Sequence, residues 1–485
     1  MSDRHPLATN PTNQQTTTMN RQTCITVTHE DLLWVLSAIT TPHGGLHLCN
    51  CHQRPGRVHL DSGKDLLPGL PIEQSQSRFL RSYEPPPPQT TDDPGAAMTQ
   101  TDLQAVGAAF NLRGRFVGGS PYGSGHINDT YAVRYDSEGR QVRYVLQRVN
   151  RKVFRDVPAV MENVERVTSH LRATLEKAAV PDRSRRAMNL LPTRDGGIYH
   201  IDPAGEYWRA YEFVEGAATF DVLTSHEQAF EVARAFGAFQ KMLADLPEPP
   251  LHETIPRFHD GPDRYRAFLD ALERDPLGRA AGARPEIAYL KEQAATLDRY
   301  PQLIARGAVP LRVTHNDCKS NNVLIDDETG EGICVIDLDT LMPGLVMYDF
   351  GDMVRTSTCA VAEDWQILDD VHMDLERFEH LTRGYLSAAG DILTPVEIDE
   401  LAFAGQAITL TLGARFLTDH LLGDTYFKTH RPDHNLERCR VQFALVRSMA
   451  AQEAEMEAAV ERAARENRPD AYSPAAVPAA GARLR

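Results

Sequence analysis

Val313-Thr314-His315-Asn316-Asp317-Cys318-Lys319-Ser320-Asn321-Asn322-Val323-Leu324-Ile325 is the stretch on which the reading of this chain turns. An apolar strand delivers His315 and Asp317 into a loop, Asn322 follows five residues after Asp317, and a second apolar run starts at Val323. Past a turn at 326–332 comes Ile333-Cys334-Val335-Ile336-Asp337-Leu338-Asp339, so the two apolar runs form a hairpin that returns Asp337 beside Asn322. A carboxylate and an amide oxygen brought together this way suit Mg²⁺, which keeps waters and takes its remaining ligands from phosphates. Asp317 is left free to accept a proton from, and orient, a substrate hydroxyl. Lys319, two residues on, can reach a transferring phosphoryl group whose charge needs stabilising. Loop Asp and Asn residues also serve turns and caps. The joint order His-x-Asp-x4-Asn, strand, turn, strand, Asp-x-Asp has a low chance frequency, which favours the chemical reading.

Upstream, residues 115–150 read as an antiparallel meander. Arg115-Phe116-Val117 leads into a glycine-dense turn, then come Asp129-Thr130-Tyr131-Ala132-Val133-Arg134-Tyr135, a turn at 137–140, and Val142-Arg143-Tyr144-Val145-Leu146-Gln147-Arg148-Val149. The first connection, Gly118-Gly119-Ser120-Pro121-Tyr122-Gly123-Ser124-Gly125-His126-Ile127-Asn128, can bring backbone N–H groups close to phosphate oxygens. It precedes a strand rather than a helix and lacks a Gly-Lys-Ser/Thr ending, which weakens dinucleotide-binding and P-loop readings and favours a flap over nucleotide phosphates. A flexible hairpin turn is the plainer alternative. Spacing of Val160, Val164, Val167 and Leu171 predicts one helix. Residues 197–202 and 207–214 read as two further strands, giving five strands plus a helix. Beyond Asp221 the pattern is mostly helical, broken once by short β segments at 311–340. A small β-rich lobe before a larger helical one implies a cleft.

Composition bounds the rest. Of 485 residues, 42% are hydrophobic and 24% charged, which excludes a wholly disordered chain and a membrane protein. The apolar run at 32–39 is far shorter than the roughly 20 residues a membrane span needs. Seven scattered cysteines argue against a disulfide framework and for a reducing cytoplasm. A net charge of −16 repels a phosphate backbone, so nucleic acid is disfavoured as a partner, although a nucleotide held through a metal ion is not excluded. Residues 1–97 hold 11 of the 31 prolines and one of the 17 phenylalanines, the composition of a low-complexity, disordered extension. Translation is expected to start at Met98. His47, Cys49, Cys51 and His52 offer an alternative metal site there, disfavoured because two cysteines at i and i+2 are too close for structural zinc. The expected domains are therefore 1–97, a β-rich nucleotide-binding lobe 98–214, a helical lobe 215–465, and a flexible tail 466–485.

On these motifs the chain resembles the aminoglycoside phosphotransferase family, akin to choline kinases and protein kinases, over roughly 110–450. Within it, Tyr122-Gly123-Ser124-Gly125-His126-Ile127-Asn128-Asp129-Thr130-Tyr131, Leu146-Gln147-Arg148-Val149-Asn150 and Ala414-Arg415-Phe416-Leu417-Thr418-Asp419-His420-Leu421-Leu422-Gly423-Asp424-Thr425-Tyr426-Phe427-Lys428 are similar to the N-acetylhexosamine 1-kinases. The resemblance implies an α+β, protein-kinase-like two-lobed fold: an antiparallel sheet with one helix, then a larger helical lobe. It implies an ATP- and Mg²⁺-dependent enzyme phosphorylating the anomeric hydroxyl of an N-acetylhexosamine, with Asp317 as base or orienting carboxylate and Asn322 and Asp337 on the metal. Asp339 would assist a second ion or the sugar. Gly123, Ser124, Gly125, His126 and Asn128 would cover the nucleotide, backbone groups of Glu212 to Val214 would read the adenine edge, and Arg415 and Tyr426 would contact the hexosamine. An arginine fork and a tyrosine ring suit a polar sugar; a surface ion pair and a core aromatic are their plainer readings.

Two departures stand out. Kinase-like folds carry a lysine on the third strand, and here Gln147 and Arg148 occupy it; Arg148 is expected to supply the charge with Glu162 as partner, subject to the strand's register. Asp349-Phe350-Gly351 spells the protein-kinase metal motif but lies well past the strand ending at Asp337, so Asp349 is expected to tie down the segment 351–354. The acceptor could instead be an aminoglycoside, choline or another sugar. A cationic aminoglycoside would want an acidic pocket, which the overall charge permits and Arg415 argues against. An inactive nucleotide-binding regulator is the reading from another class: the third strand favours it, and the joint presence of Asp317, Lys319, Asn322 and Asp337 opposes it.

Overall fold

The hairpin signal at 137–140 closes as read, with Ser137 opposite Arg140 and positive φ at both Glu138 (55°) and Gly139 (82°), the two-residue turn that matches strand twist. The computed structural model describes residues 98–123 and 127–467, and the backbone of two short strands, β1 (Cys24–Thr26) and β2 (Arg57–His59), which pair antiparallel. The apolar run at 32–39, the His47, Cys49, Cys51 and His52 group, Ser124, Gly125 and His126, and the tail from 468 lie outside the described residues. Ala96–Arg485 form one unit, distinct from the residues before it.

That unit opens with α1 (Gln100–Ala108), whose Thr99 and Asp102 form a reciprocal capping box. Then come β3 (Arg115–Pro121), β4 (Asp129–Ser137), β5 (Arg140–Val149) and α2 (Val157–Lys177). The sheet order is β3-β4-β5-β8-β6, where β6 is Leu190–Leu191 and β8 is Tyr207–Glu212; β7 (His200–Ile201) also pairs β8. The sheet thus has six strands rather than five, and the strand expected at 197–202 shrinks to two residues. Two-residue pairings carry no alternation, so nothing in the sequence marks β6. The stripe Val160, Val164, Val167 and Leu171 of α2 is buried as its spacing requires.

A short β9 (Ala217–Ala218) leads to the helical lobe. There α3 (His226–Met242), α4 (Gly261–Arg274), α5 (Arg284–Glu292) and α6 (Arg299–Ala305) precede β10 (Arg312–Thr314), β11 (Val323–Asp326), β12 (Gly332–Val335) and β13 (Met342–Gly344). Then come α7 (Val346–Ser357), α8 (Leu375–Ala389), α9 (Pro395–Asp399), α10 (Leu401–Leu422), α11 (His434–Ala451) and α12 (Glu453–Asn467). Helix α10 is long and apolar enough to cross a bilayer, yet 83% of its apolar window is buried inside the protein, as befits a central core helix. The acidic α12 buries Met456, Ala459, Val460, Ala463 and Ala464 and so packs on the fold. The architecture is the expected α+β one, with β10 pairing β13 and β12, β11 and β9 forming a second small sheet.

Candidate active site

The loop after β10 is held by α7. Asp349, in the first turn of that helix, accepts the backbone N–H of His315 at 2.9 Å and of Asn316 at 2.7 Å, one on each carboxylate oxygen. Asn316 sits at φ 64°, in the left-handed region that asparagine tolerates, and its side chain donates to the carbonyls of Thr314 and Thr340. The His315 ring spans the loop, Nε2 on the carbonyl of Ile336 at 2.9 Å and Nδ1 accepting the N–H of Asp317 at 3.3 Å. Burial pushes the Asp349 carboxyl up to about 6, against the pull of His315 and the two amide bonds. The expectation for Asp349 is thereby corrected: it is structural, but it ties down the loop carrying Asp317 rather than residues 351–354.

Asp317 faces Lys319 Nζ at 3.0 Å. Burial pushes its carboxyl up, and the Lys319 charge beside it outweighs that and holds it below the usual range. The Asp317 charge in turn holds the Lys319 ammonium above its ordinary value in spite of burial. Asn322 donates its side-chain N–H to the backbone carbonyl of Asp317 at 2.8 Å, and its own carbonyl accepts the N–H of Ile336 at 2.9 Å, so the hairpin does bring Asp337 beside it. Asp337 also lies at a left-handed φ, 61°. Burial first, and then the charges of Asp339 and Asp317, push its carboxyl up to about 7. A carboxylate so short of compensation gains from a cation, and the donor set of Asp337 and Asn322 fits a hard ion that takes its other ligands from phosphate and water. Asp339, expected on a second ion or the sugar, is held on both oxygens by protein donors, Oδ1 by Arg209 and Oδ2 by Asn128 Nδ2 at 2.5 Å.

The register settles which side chain of the third strand faces this centre. Gln147 lies opposite Thr130 and Arg209, whereas Arg148 lies opposite Asp129 and Trp208 on the other face. Arg148 pairs with Asp129 at 2.6 Å, with its guanidinium 5.8 Å from the Trp208 ring centroid. Glu162 pairs with His252 at 2.9 Å. The expectation of an Arg148–Glu162 pair at the nucleotide is corrected on both members, because strand alternation turns Arg148 away. The cation on the inner face is Arg209, 1% exposed, which sequence reasoning missed; the signal was a lone charge inside the buried run Tyr207-Trp208-Arg209-Ala210-Tyr211.

Around the cleft, Gly123 has φ 81° and no atom within 4 Å of where a Cβ would stand, and Asn128 ties the loop's end to Asn150 N at 2.9 Å. Glu212 closes β8 with its N–H on Asn189 O at 3.0 Å, and Val214 packs on Leu324, Ile333 and Cys334 of the hairpin. On the far side Arg415 donates to Tyr426 OH at 3.3 Å and lies 4.9, 5.5 and 5.3 Å from the ring centroids of Phe258, Tyr426 and Phe427. The Asp317 charge acts on Arg415, whose guanidinium burial pulls below its ordinary value. The Tyr426 loop hangs on buried Asp419, which accepts the amides of Thr425, Tyr426 and Phe427 at 2.8, 2.8 and 2.9 Å. His259 braces the same region, Nε2 on Asn316 O at 2.9 Å, and burial pulls its ring down to about 4. Asp419 lies inside the 414–428 stretch without a role readable from sequence, and His259 lies in no quoted motif.

A family model described as the phosphotransferase enzyme family matches residues 118–389, more than half of the 485. Similar solved structures include a spectinomycin phosphotransferase in complex with ADP and spectinomycin (13% identity, 74% of this chain and 99% of that one, TM-score 0.48). Another is a microcompartment-associated aminopropanol kinase (17%, 74% and 98%, TM-score 0.46). A third is an ethanolamine kinase of Plasmodium vivax (13%, 77% and 95%, TM-score 0.44).

Proposed function

The chain belongs to the phosphotransferase enzyme family and is a phosphotransferase acting on a hydroxyl acceptor, and on that premise we propose that it moves the γ-phosphoryl group of ATP onto the anomeric hydroxyl of an N-acetylhexosamine. The observation that carries the proposal is the Asp317–Lys319 pair set against the Asn322 and Asp337 hairpin, with the Asp317 charge reaching Arg415, which donates to Tyr426. In this reading the glycine loop, with Gly123, Ser124, Gly125, His126 and Asn128, covers the phosphates. Glu212 to Val214, which this reading takes as the end of the β-rich lobe, meet the adenine. Mg²⁺, bound by Asn322 and Asp337, would supply charge neutralisation at the β- and γ-phosphates.

Asp317 accepts the hydroxyl proton and aims the oxygen at phosphorus; the new O–P bond forms as the bond to the ADP oxygen breaks. A carboxylate held below its usual range suffices, because a loose transition state needs little base assistance and an anomeric hydroxyl is the most acidic of a sugar. Lys319 stabilises the charge spread over the transferring group, and most of the acceleration comes from alignment. Arg415 offers several donors beside three aromatic rings, a surface suited to a polar ring with an apolar face. Its positive charge opposes an aminoglycoside, choline or other cationic acceptor. The described cysteines, Cys318, Cys334, Cys359 and Cys439, are free and buried, which supports a cytoplasmic setting. Acceptor-dependent ADP release followed by phosphorus NMR of the product tests the reading: a sugar 1-phosphate supports it, and phosphate on another hydroxyl or on an amino alcohol rejects the acceptor.

A further inference from the structure

We propose that Arg209 takes over, from strand β8, the fixed positive charge that kinase-like folds place on the third strand, and that Asp339 takes over the carboxylate such folds place on the following helix. This rests on the kinase reading above and concerns how its nucleotide site is held in shape. In that usual arrangement a third-strand lysine pairs with a glutamate of the adjoining helix while meeting the nucleotide phosphates. Here the third-strand position facing the centre is the neutral Gln147. From α2 the guanidinium meets Met161 Sδ, 3.8 Å from Nη1, and the one glutamate considered for the pairing, Glu162, is turned to His252.

Both vacancies are filled by displacement. Gln147 and Arg209 stand directly opposite one another in the antiparallel pair β5–β8, so their side chains share a face. Arg209 gives Nε and Nη2 to Gln147 Oε1 at 2.9 and 2.6 Å, and Nη1 to Asp339 Oδ1. Gln147 in turn donates to Thr130 Oγ1 at 2.9 Å, making one row across β4, β5 and β8. The planar fork is what permits this: an ammonium in its place has no rigid set of donors to clamp an amide oxygen and a carboxylate at once. Asp339 spends its second oxygen on Asn128, at the end of the glycine loop.

The consequence is a change in what is coupled to what. The usual lysine–glutamate pair makes the nucleotide site depend on the position of the helix. The Arg209–Asp339–Asn128 chain instead joins the sheet, the glycine loop and the segment carrying Asp337, and takes no carboxylate from α2. Burial disfavours the Arg209 charge, and the Asp339 and Asp337 carboxylates outweigh that and hold it protonated. Arg209 therefore also offsets the crowding of Asp317, Asp337 and Asp339. It is a positioning residue: it acts on the nucleotide through Asp339 and Asn128.

The experiment is titration calorimetry of full-length protein with ATP, with and without Mg²⁺, for the unmodified chain, Arg209→Gln, Arg209→Lys, and the double variant Arg209→Gln with Gln147→Lys. Thermal melts establish folding. The unmodified chain binds Mg²⁺-ATP; if it does not, the kinase reading falls and this inference with it. Arg209→Gln is expected to weaken Mg²⁺-ATP at least tenfold, Arg209→Lys less. The double variant, with its cation returned to the third strand, is expected to recover to within about threefold of the original. A purely structural arginine would not be rescued from another strand. Should Arg209→Gln fail to fold, the folded double variant binding Mg²⁺-ATP supports the inference by itself. Equal binding by folded Arg209→Gln, or a folded double variant that stays as weak as the single one, overturns it while leaving the kinase reading intact.

Discussion

Asp349 and Asn316 stand 33 positions apart in the chain and are joined by a 2.7 Å hydrogen bond from the Asn316 amide to the Asp349 carboxylate, the second oxygen of which takes the amide of His315. A helix that follows the motif in sequence thus fixes the backbone from which Asp317 projects. The left-handed Asn316 is tolerable because those amides, its own side chain and Thr340 over-determine its conformation.

Asp349→Asn leaves one acceptor and places an N–H against an N–H. The expected cost is about 1–3 kcal/mol in denaturant melts. The turnover number is expected to fall roughly 10²-fold, as a displacement of about 1 Å would cause, with little change in the KM for ATP. Steady-state kinetics beside a urea titration read both.

Lys319→Met removes the cation that holds Asp317 below its ordinary range. With one transition-state charge partner lost, kcat is expected to drop by about 10²–10³. The pH at which activity rises on the acidic limb is expected to move upward, because the Asp317 carboxyl is then governed by its burial. A pH–rate profile of both proteins checks the direction.

His259 supplies a stability signature. Burial depresses its ring to about 4 in the folded chain, so between that pH and the ordinary histidine range near 6.5 the unfolded chain binds the extra proton. The stability it contributes is present above about pH 6.5 and is lost as pH falls toward 4, amounting to at most about 3 kcal/mol. Melting temperatures from pH 7 to 4 are expected to fall more steeply for the original chain than for His259→Gln. Parallel curves would show that the ring is not buried neutral.

Asp419 carries three consecutive amides of the Tyr426 loop and the side chain of Asn435 at 2.9 Å. Asp419→Ala is expected to raise the acceptor KM several-fold and to leave the ATP KM unchanged, since the loop lies on the acceptor side. Equal effects on both substrates would place the loop elsewhere in function.

The parts of this protein that were legible in its sequence are those set by short-range order. The meander, the α2 stripe, the β11–β12 hairpin and the adjacency of Asn322 and Asp337 all follow from alternation, turn chemistry and spacing. What escaped are relationships created when elements meet. Strand alternation fixed that Gln147 and Arg148 face opposite ways but not which way, and only pairing with β8 shows that Arg209 stands beside Gln147. Asp339 looked like a second metal carboxylate because its partners, Arg209 and Asn128, come from over 100 residues upstream. Asp349 was read as serving its own neighbours because its partners lie upstream on another element.

The most direct test of the account is ADP release by purified protein with ATP and Mg²⁺ across N-acetylglucosamine, N-acetylgalactosamine, glucose, choline and kanamycin, with Asp317→Asn alongside. The account requires turnover that depends on an acetylated hexosamine and is abolished by Asp317→Asn. Turnover on choline or kanamycin, or turnover on the sugars that survives Asp317→Asn, would contradict it.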